Sequence, residues 1–343
     1  MVKTATRAVL VGCGGMSRAW LDAASEHEDV EVVGLVDIDK RNARWRAEEF
    51  RLENALIGDN LKSMLREMEP DVVFDVTIPE AHTEVATTAL KHGCHGLGEK
   101  PLADSMAKAR RALRAAEKAG KIYAVIQNRR YNPAIRRMSK LLHKGAIGEI
   151  TTVNCDFYIG AHFGGFRDHM EHVLLLDMAI HTFDQARLLT GADPVSVYAR
   201  EWNPQGSWYE HDASAICVFE MTDGIIFTYR GSWCAEGLST SWESDWRVVG
   251  TKGTAKWDGG EDIRAASVKK SGSFMSDMRE LKVPALAKKD RVGGHAGLID
   301  EFIHCVRKGG TPETVCTDNI KSLAMVFGAI ESSKKGRAVA IKC

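Results

Sequence analysis

Near the start of the chain, Ala8–Val11 is a short apolar run followed at once by Gly12-Cys13-Gly14-Gly15-Met16-Ser17 and then by a helical pattern. Four consecutive apolar residues read as a strand buried on both faces. The pattern Gly12-x-Gly14-x-x-Ser17 is a dinucleotide fingerprint with serine in its third place. The first glycine permits the tight turn, and the second lets the backbone approach a pyrophosphate. The third position must be small so that strand and helix pack closely. The pyrophosphate would rest on Gly12, Gly14, Gly15 and Met16, at the N-terminus of the following helix. Such a motif alone is weak; its place between a strand and a helix makes it constraining.

The rest of the first third agrees with it. Val30–Val36, Val72–Val76, His95–Gly98 and Tyr123–Ile126 read as further buried strands. Between them lie helical stretches at Met16–Ser25, Lys40–Phe50, Leu61–Met68, Glu80–His92 and Ser105–Ala119, with Ser105 as N-cap and Gly120 as C-terminal stop. Strands alternating with helices imply right-handed βαβ units and a doubly wound parallel sheet. The pattern changes near residue 128. After a helix at Pro133–Lys144 come a long strand, Glu149–Tyr158, and one helix, Val173–Leu189. Strands follow at Val195–Arg200, Ala213–Met221, Ile225–Trp233, Trp246–Gly250 and Thr254–Trp257. The hairpin turn Thr222-Asp223-Gly224 joins two of them. Two helices, His295–Val306 and Asp318–Lys334, close the chain, and Lys269–Val292 reads as a polar loop. A length of 343 residues suits two domains. We therefore expect an α/β Rossmann domain over 1–127 and an α+β domain, built on a large and mostly antiparallel open sheet, over 128–343.

Lysine plus arginine and aspartate plus glutamate both number 46. No net field draws the chain to nucleic acid or to an anionic membrane. No apolar run reaches the ~20 residues of a membrane span. The N-terminal residues read directly into the first strand, so a cytoplasmic protein without a leader is expected. The eight cysteines are scattered without a C-x-x-C pair, which suits reduced structural thiols. His92/His95 and His169/His172 are three apart, but no cysteine or carboxylate completes a ligand set, so no metal is expected.

Asp37, followed by Ile38, ends the second strand about where the fingerprint's ribose-binding acid belongs. A carboxylate there would accept bonds from both ribose hydroxyls and repel a 2′-phosphate. NAD is thus the expected cofactor, with NADP admitted by the nearby Arg41 and Arg44. The alternative is that Asp39 caps the next helix and Asp37 binds nothing. Lys100, in Glu99-Lys100-Pro101, ends the fifth strand at the sheet edge where such ligands bind. In the second domain Asp177 and His181 are four apart on one helix, hence on one face. A histidine titrates near neutrality and can take a proton from an alcohol. Asp177 can orient it, and Lys100 can stabilise a developing alkoxide. Asp184 is a rival partner for His181, and a solvated structural pair is the plainer reading of the spacing.

Taken together, Gly12-x-Gly14, Asp37, Thr77-Ile78-Pro79-x-x-His82, Glu99-Lys100-Pro101, Asn128-Arg129-Arg130-Tyr131-Asn132-Pro133 and Asp177-x-x-x-His181 resemble the Gfo/Idh/MocA oxidoreductases in order and spacing. The resemblance covers essentially the whole chain. It implies that Lys100, Asp177 and His181 are the catalytic triad. It also implies that Thr77, Pro79 and His82 line the cofactor channel, that Glu99 lies near the nicotinamide ribose and that Asn128 lies beside the cofactor. Arg129 matches a position that touches substrate, and the Lys100-Pro101 peptide is expected to be cis. Glu171-His172-Val173-Leu174 departs from the glycine-rich run of many members. Because the family commonly dimerises through the open face of the second sheet, a homodimer or homotetramer is implied.

Six of the eight tryptophans lie between 202 and 257. Trp233 or Trp208 would suit a sugar's C–H face, although aromatics equally fill sheet faces. His162 and Arg167, in the loop before the Asp177 helix, are candidates for contacting substrate. The expected activity is hydride transfer between nicotinamide and a secondary hydroxyl or ketone of a sugar, cyclitol or glycoside. The rivals are a glycosidase that oxidises its substrate transiently through bound NAD, and a non-catalytic NAD- or sugar-sensing module.

Overall fold

The computed structural model describes residues 5–272 and 274–343. Met1–Thr4, which the sequence reading runs into the first strand, and Ser273, inside the expected polar loop, lie outside them. The chain begins β1 (Thr6–Val11), α1 (Ser17–Ser25), β2 (Val30–Val36), α2 (Lys40–Glu49), β3 (Leu56–Gly58), α3 (Leu61–Met68), β4 (Val72–Asp75) and α4 (Pro79–Lys91). It continues through β5 (His95–Gly98), α5 (Met106–Ala119), β6 (Tyr123–Val125), α6 (Pro133–His143), β7 (Ile150–Tyr158), α7 (Ile180–Thr190), β8 (Pro194–Trp202), β9 (Ser214–Met221) and β10 (Ile226–Ser232). The last part holds β11 (Asp245–Gly250), β12 (Gly253–Trp257), β13 (Ile263–Lys270), β14 (Asp277–Glu280), α8 (Gly294–Lys308), α9 (Cys316–Lys335) and β15 (Val339–Ala340).

The contacts divide the chain into two units. One runs up to Tyr131 and includes Gly293–Ile320; the other holds Asn132–Val292 and Lys321–Cys343. In the first, six parallel strands stand in the order β3-β2-β1-β4-β5-β6. Alternate residues of β1 face opposite sides. Ala8 and Leu10 pack with Trp20, Leu21 and Phe74, whereas Val9 and Val11 pack with Met64, Leu65 and Val73. Helices end where their sequences lead one to expect. The Ser105 hydroxyl accepts from Lys108 N at 3.3 Å to start α5, and Gly120, at φ +59°, stops it.

The helix α8 is where the domain boundary departs from the sequence reading. Its face of Leu298, Ile299, Phe302 and Ile303 lies in the core beside Trp20, Phe74 and Tyr131. Each such side chain stabilises by about 1.5–3 kcal/mol on burial. Residues 128–343 therefore do not all belong to the second unit. An amphipathic stripe shows that α8 is covered but not which core covers it.

In the second unit nine strands run β14-β13-β12-β11-β7-β10-β9-β8-β15, antiparallel at every pairing except that of β7 with β10. Phe183 of α7 meets Phe219, Phe227 and Tyr229 edge-on at 4.8, 6.0 and 5.3 Å. Along β9, Cys217, Phe219 and Met221 are buried while Ile216, Val218 and Glu220 face outward. The strands β3, β13, β14 and β15 are not marked in the sequence. β14, Asp277-Met278-Arg279-Glu280, lies in the expected loop and is exposed throughout, so only its pairing with β13 defines it. The expected helix Val173–Leu189 also differs: it opens as a wide π turn, Leu174–Ala179, before α7. Among the described residues no helix is long and apolar enough to cross a membrane.

Candidate active site

Within the first unit, β2, β1, β4 and β5 are neighbours, so their carboxyl ends bring Asp37, the glycine loop, Thr77 and Lys100 to one edge of the sheet. Gly12 has φ +91°, and a Cβ there would stand 2.5 Å from Val76 O, so only glycine fits. Gly14 and Gly15 differ. A Cβ on either would meet nothing within 4 Å. The backbone is left bare toward open space just ahead of α1, which suits a pyrophosphate on a helix N-terminus. Ser17, in the third glycine's place, is buried and donates to Gly14 O at 2.6 Å. Arg46 of α2 locks this turn, donating to the Ser17 hydroxyl and to Gly14 O, both at 2.9 Å, while also pairing with Glu49. No local pattern marked Arg46, because a basic residue on an early helix reads as solvated. The Cys13 thiol is inert, its pKa pushed up to about 12 by burial and then by Asp37.

Asp37 accepts from Cys13 N at 2.7 Å through one oxygen, and from Asp39 N at 2.9 Å and Asn42 Nδ2 at 3.3 Å through the other. A carboxylate has about four acceptor positions, so about one remains for a ribose hydroxyl. Acceptance from both hydroxyls, as the sequence suggested, requires the long Asn42 contact to open. Ile38 beside it is 98% exposed. Asp39 does cap α2, accepting from Arg41 N, and it also holds the Arg41 guanidinium at 2.9 Å. Arg41 is thereby drawn to a carboxylate of its own chain.

At the end of β4, Asp75 accepts from Thr77 N and the Thr77 hydroxyl, and meets His82 Nδ1 at 3.1 Å. His82 is wholly buried and braces this turn from beneath, while Pro79 opens α4 above it. Burial disfavours the charged ring, yet Asp75, aided by Glu99 and Glu80, holds the His82 pKa above its ordinary value. Glu99 accepts from Trp20 Nε1 at 2.7 Å and from Lys100 N at 3.1 Å. Burial would raise its pKa, but His295, Trp20 and the Lys100 charge together hold it low. His295, at the start of α8, lies 3.8 Å from Glu99 and 3.1 Å from Asn128 Nδ2. Neither Trp20 nor His295 was foreseen, since both are remote from Glu99 in sequence. The Lys100-Pro101 peptide is cis. Arg129 lies in the short 3₁₀ turn Asn128–Tyr131 that follows β6.

In the second unit, Asp177 sits on the π turn and His181 in the first turn of α7. Isolated π turns recur at functional sites in proteins generally. Arg167 grips Asp177 from the preceding loop, Nε to Oδ2 at 2.9 Å and Nη2 to Oδ1 at 3.4 Å. Arg167 also lies over the Phe163 and Phe166 rings, 4.9 and 4.8 Å from their centres. His181 is 7% exposed, so a proton it carries is shielded from bulk water. Asp184, the rival partner, accepts from the Ser322 hydroxyl at 2.7 Å. His172 takes φ +55° and meets the buried Glu201 at 2.9 Å. His162 stacks on Trp208 at 3.7 Å and pairs with Glu236. Trp233 is 1% exposed, flanked by Phe157 and Phe163, so it is a core ring and not an open platform.

Among the described residues no three histidine, cysteine, aspartate or glutamate side chains converge as a metal site. Residues 6–127 match the Gfo/Idh/MocA model described as an oxidoreductase family with an NAD-binding Rossmann fold, and residues 135–256 match the Gfo/Idh/MocA C-terminal domain. The chain belongs to the Gfo/Idh/MocA oxidoreductase family. It is 30% identical to an uncharacterised protein, y4oX, of Sinorhizobium fredii, with 97% of this chain and 94% of that protein covered. A D-apiose dehydrogenase of Paraburkholderia graminis is 27% identical, with 98% and 90% covered. The structure of an Agrobacterium radiobacter oxidoreductase in complex with NAD+, L-tartaric acid and magnesium superposes with a TM-score of 0.84 at 22% identity, covering 98% of both chains. At that identity the likeness concerns the fold.

Proposed function

We propose that this protein oxidises a secondary hydroxyl of a sugar, cyclitol or glycoside, or reduces the corresponding ketone, with Lys100, Asp177 and His181 as its catalytic residues. The observation that carries this reading is the pair on the π turn and α7: a carboxylate fixed by Arg167 and, four residues on, a nearly buried histidine. His181 takes the proton of the reacting hydroxyl as general base. Asp177 orients the imidazole and stabilises its charged form, and Lys100 donates to the oxygen as alkoxide character develops. NAD, when bound, supplies the hydride acceptor. The glycine loop with Met16 and the α1 N-terminus would hold its pyrophosphate, and Asp37 its adenosine ribose. Thr77, Pro79, Glu99 and Asn128 would flank the rest. Arg129, His162 and Arg167 contact the substrate in this reading. His82 and Trp233, both buried, support these surfaces from behind.

We further propose a cytoplasmic homo-oligomer. No disulfide joins any of the eight cysteines, all of which are described. Tyr198, Ile216, Val218 and Ile226 form an exposed apolar strip on one face of β8, β9 and β10, and such strips mark association surfaces. The activity is tested by following NADH absorbance while the protein and NAD meet a panel of sugars, inositols and glycosides. Reduction with some of them is expected. Failure across the panel in both directions, with NAD bound, would overturn the reading.

A further inference from the structure

The loop that delivers Arg167 to Asp177 carries two partly exposed rings, Phe163 and Phe166, and Trp242, from the segment between β10 and β11, adds a third. Phe163 is 40% exposed, Phe166 68% and Trp242 50%. Phe163 stands 6.3 Å from Trp242, and both pack on the buried Trp233 at 5.1 and 5.6 Å. The loop is fastened at its start and its end. Ala161 O accepts from Trp208 Nε1 and the Tyr209 hydroxyl, and Asp168 O accepts from Glu210 N at 2.8 Å. One guanidinium therefore touches a catalytic carboxylate with one edge and two phenyl faces with its plane. Its Nε and Nη2 are engaged by Asp177; among the described residues no hydrogen bond engages Nη1.

Exposed rings gathered this tightly call for an occupant, and their tie to Asp177 through one side chain says which. A substrate whose hydroxyls meet Asp177 and His181 would extend its non-reacting part across Arg167 onto Phe163, Phe166 and Trp242. A free monosaccharide has no second ring to place there. We propose that the substrate is a glycoside whose aglycone is itself a ring, stacked on these aromatics. Arg167 Nη1 meets an oxygen at the junction of the two rings. This assignment rests on the dehydrogenase reading above and narrows its substrate class. The aromatics need a flat face, which an aryl group and a second sugar both present.

The test compares kcat/KM for the free sugar, its methyl glycoside, its phenyl glycoside and a disaccharide of it, using whichever sugar supports NAD reduction. The phenyl glycoside or the disaccharide is expected to exceed the methyl glycoside by roughly three- to tenfold, the worth of one aromatic stack. The better of the two tells whether the second ring is aryl or sugar. In Phe166→Ala/Trp242→Ala, two exposed positions, that preference falls to near unity, and it returns in Phe166→Tyr. Quenching of tryptophan fluorescence by the phenyl glycoside, present in the native protein and lost in Trp242→Ala, reads the same contact without turnover. A native enzyme that prefers the free sugar, or a preference unchanged in the double variant, overturns the inference while leaving the dehydrogenase reading intact. Absence of turnover with every sugar and glycoside removes both.

Discussion

Two glycines two positions apart in the same turn, Gly12 and Gly14, make opposite demands, and alanine separates them. At Gly12 a Cβ would stand 2.5, 2.7 and 2.9 Å from backbone atoms of Val76 and Thr77, which no side-chain rotation can relieve. Its φ of +91° is also unfavourable for an L residue. Left-handed strain of about 1–2 kcal/mol and overpacking of about 1–3 kcal/mol together destabilise Gly12→Ala by about 2–5 kcal/mol. For a unit of this size that lowers the melting temperature by roughly 4–20 °C. Gly14→Ala meets no protein atom within 4 Å, and its melting temperature should stay within about 2 °C of the native value, since exposed substitutions of this kind change stability little. Its methyl group nonetheless enters the space assigned to the pyrophosphate, so NADH affinity should fall at least about tenfold, the equivalent of ~1.4 kcal/mol. Calorimetry on the two variants, paired with NADH fluorescence titration, reads both effects. An unaltered melting temperature in Gly12→Ala refutes the steric argument. Native NADH affinity in Gly14→Ala refutes the placement of the pyrophosphate.

Lys100→Met should keep NADH affinity within about twofold while turnover drops about 10²–10³-fold, the usual loss on removing a donor to a developing oxyanion; near-native turnover would remove Lys100 from the chemistry. Asp37→Ser should raise the ratio of NADP to NAD affinity, measured by titration, and an unchanged ratio would sink the ribose assignment. The raised pKa of His82 means that the folded protein favours the charged ring. Its stabilising contribution is therefore complete below the ring's ordinary 6.5 and fades as pH climbs through the folded value. Urea melts of the native protein should lose stability from pH 6.5 upward relative to His82→Gln, and parallel pH curves would refute it. Phe302→Ala should destabilise the NAD-binding unit by about 3–5 kcal/mol, seen as an earlier unfolding step that added NADH moves back upward. A transition left in place would mean that α8 does not complete that core.

Much of the fold was legible because it is written in short-range terms. The run before Gly12, the helix between Ser105 and Gly120 and the alternation of β9 depend on residues within a turn or a pleat of one another. The residues proposed as the triad stood out in the sequence for two different reasons. Asp177 and His181 share a helix face by spacing, whereas Lys100 was marked by its place at a strand end and by the family pattern around it. Other features depend on surroundings that no local window contains. Of the two readings open for Trp233, sugar platform or sheet filler, burial selects the second. Asp37 was placed beside the ribose by its strand end, and the structure adds the backbone donors that already engage part of its carboxylate. β14 carries one apolar residue, Met278, and it is exposed.

The amino-acid order by itself determined the periodicities, the glycine turn and the pairing of charge types on one helix, because sterics and hydrogen bonding between near neighbours suffice for these. Only the tertiary structure decided which core covers α8, which donors reach Glu99, that the Asp177 helix opens with a π turn and that Arg167 grips Asp177 between two phenylalanines. All but the π turn join groups separated by intervening chain, as Asn128 and His295 are by 167 positions. Contacts of that kind are selected by packing the whole surface of an element, and no local window of sequence contains that surface.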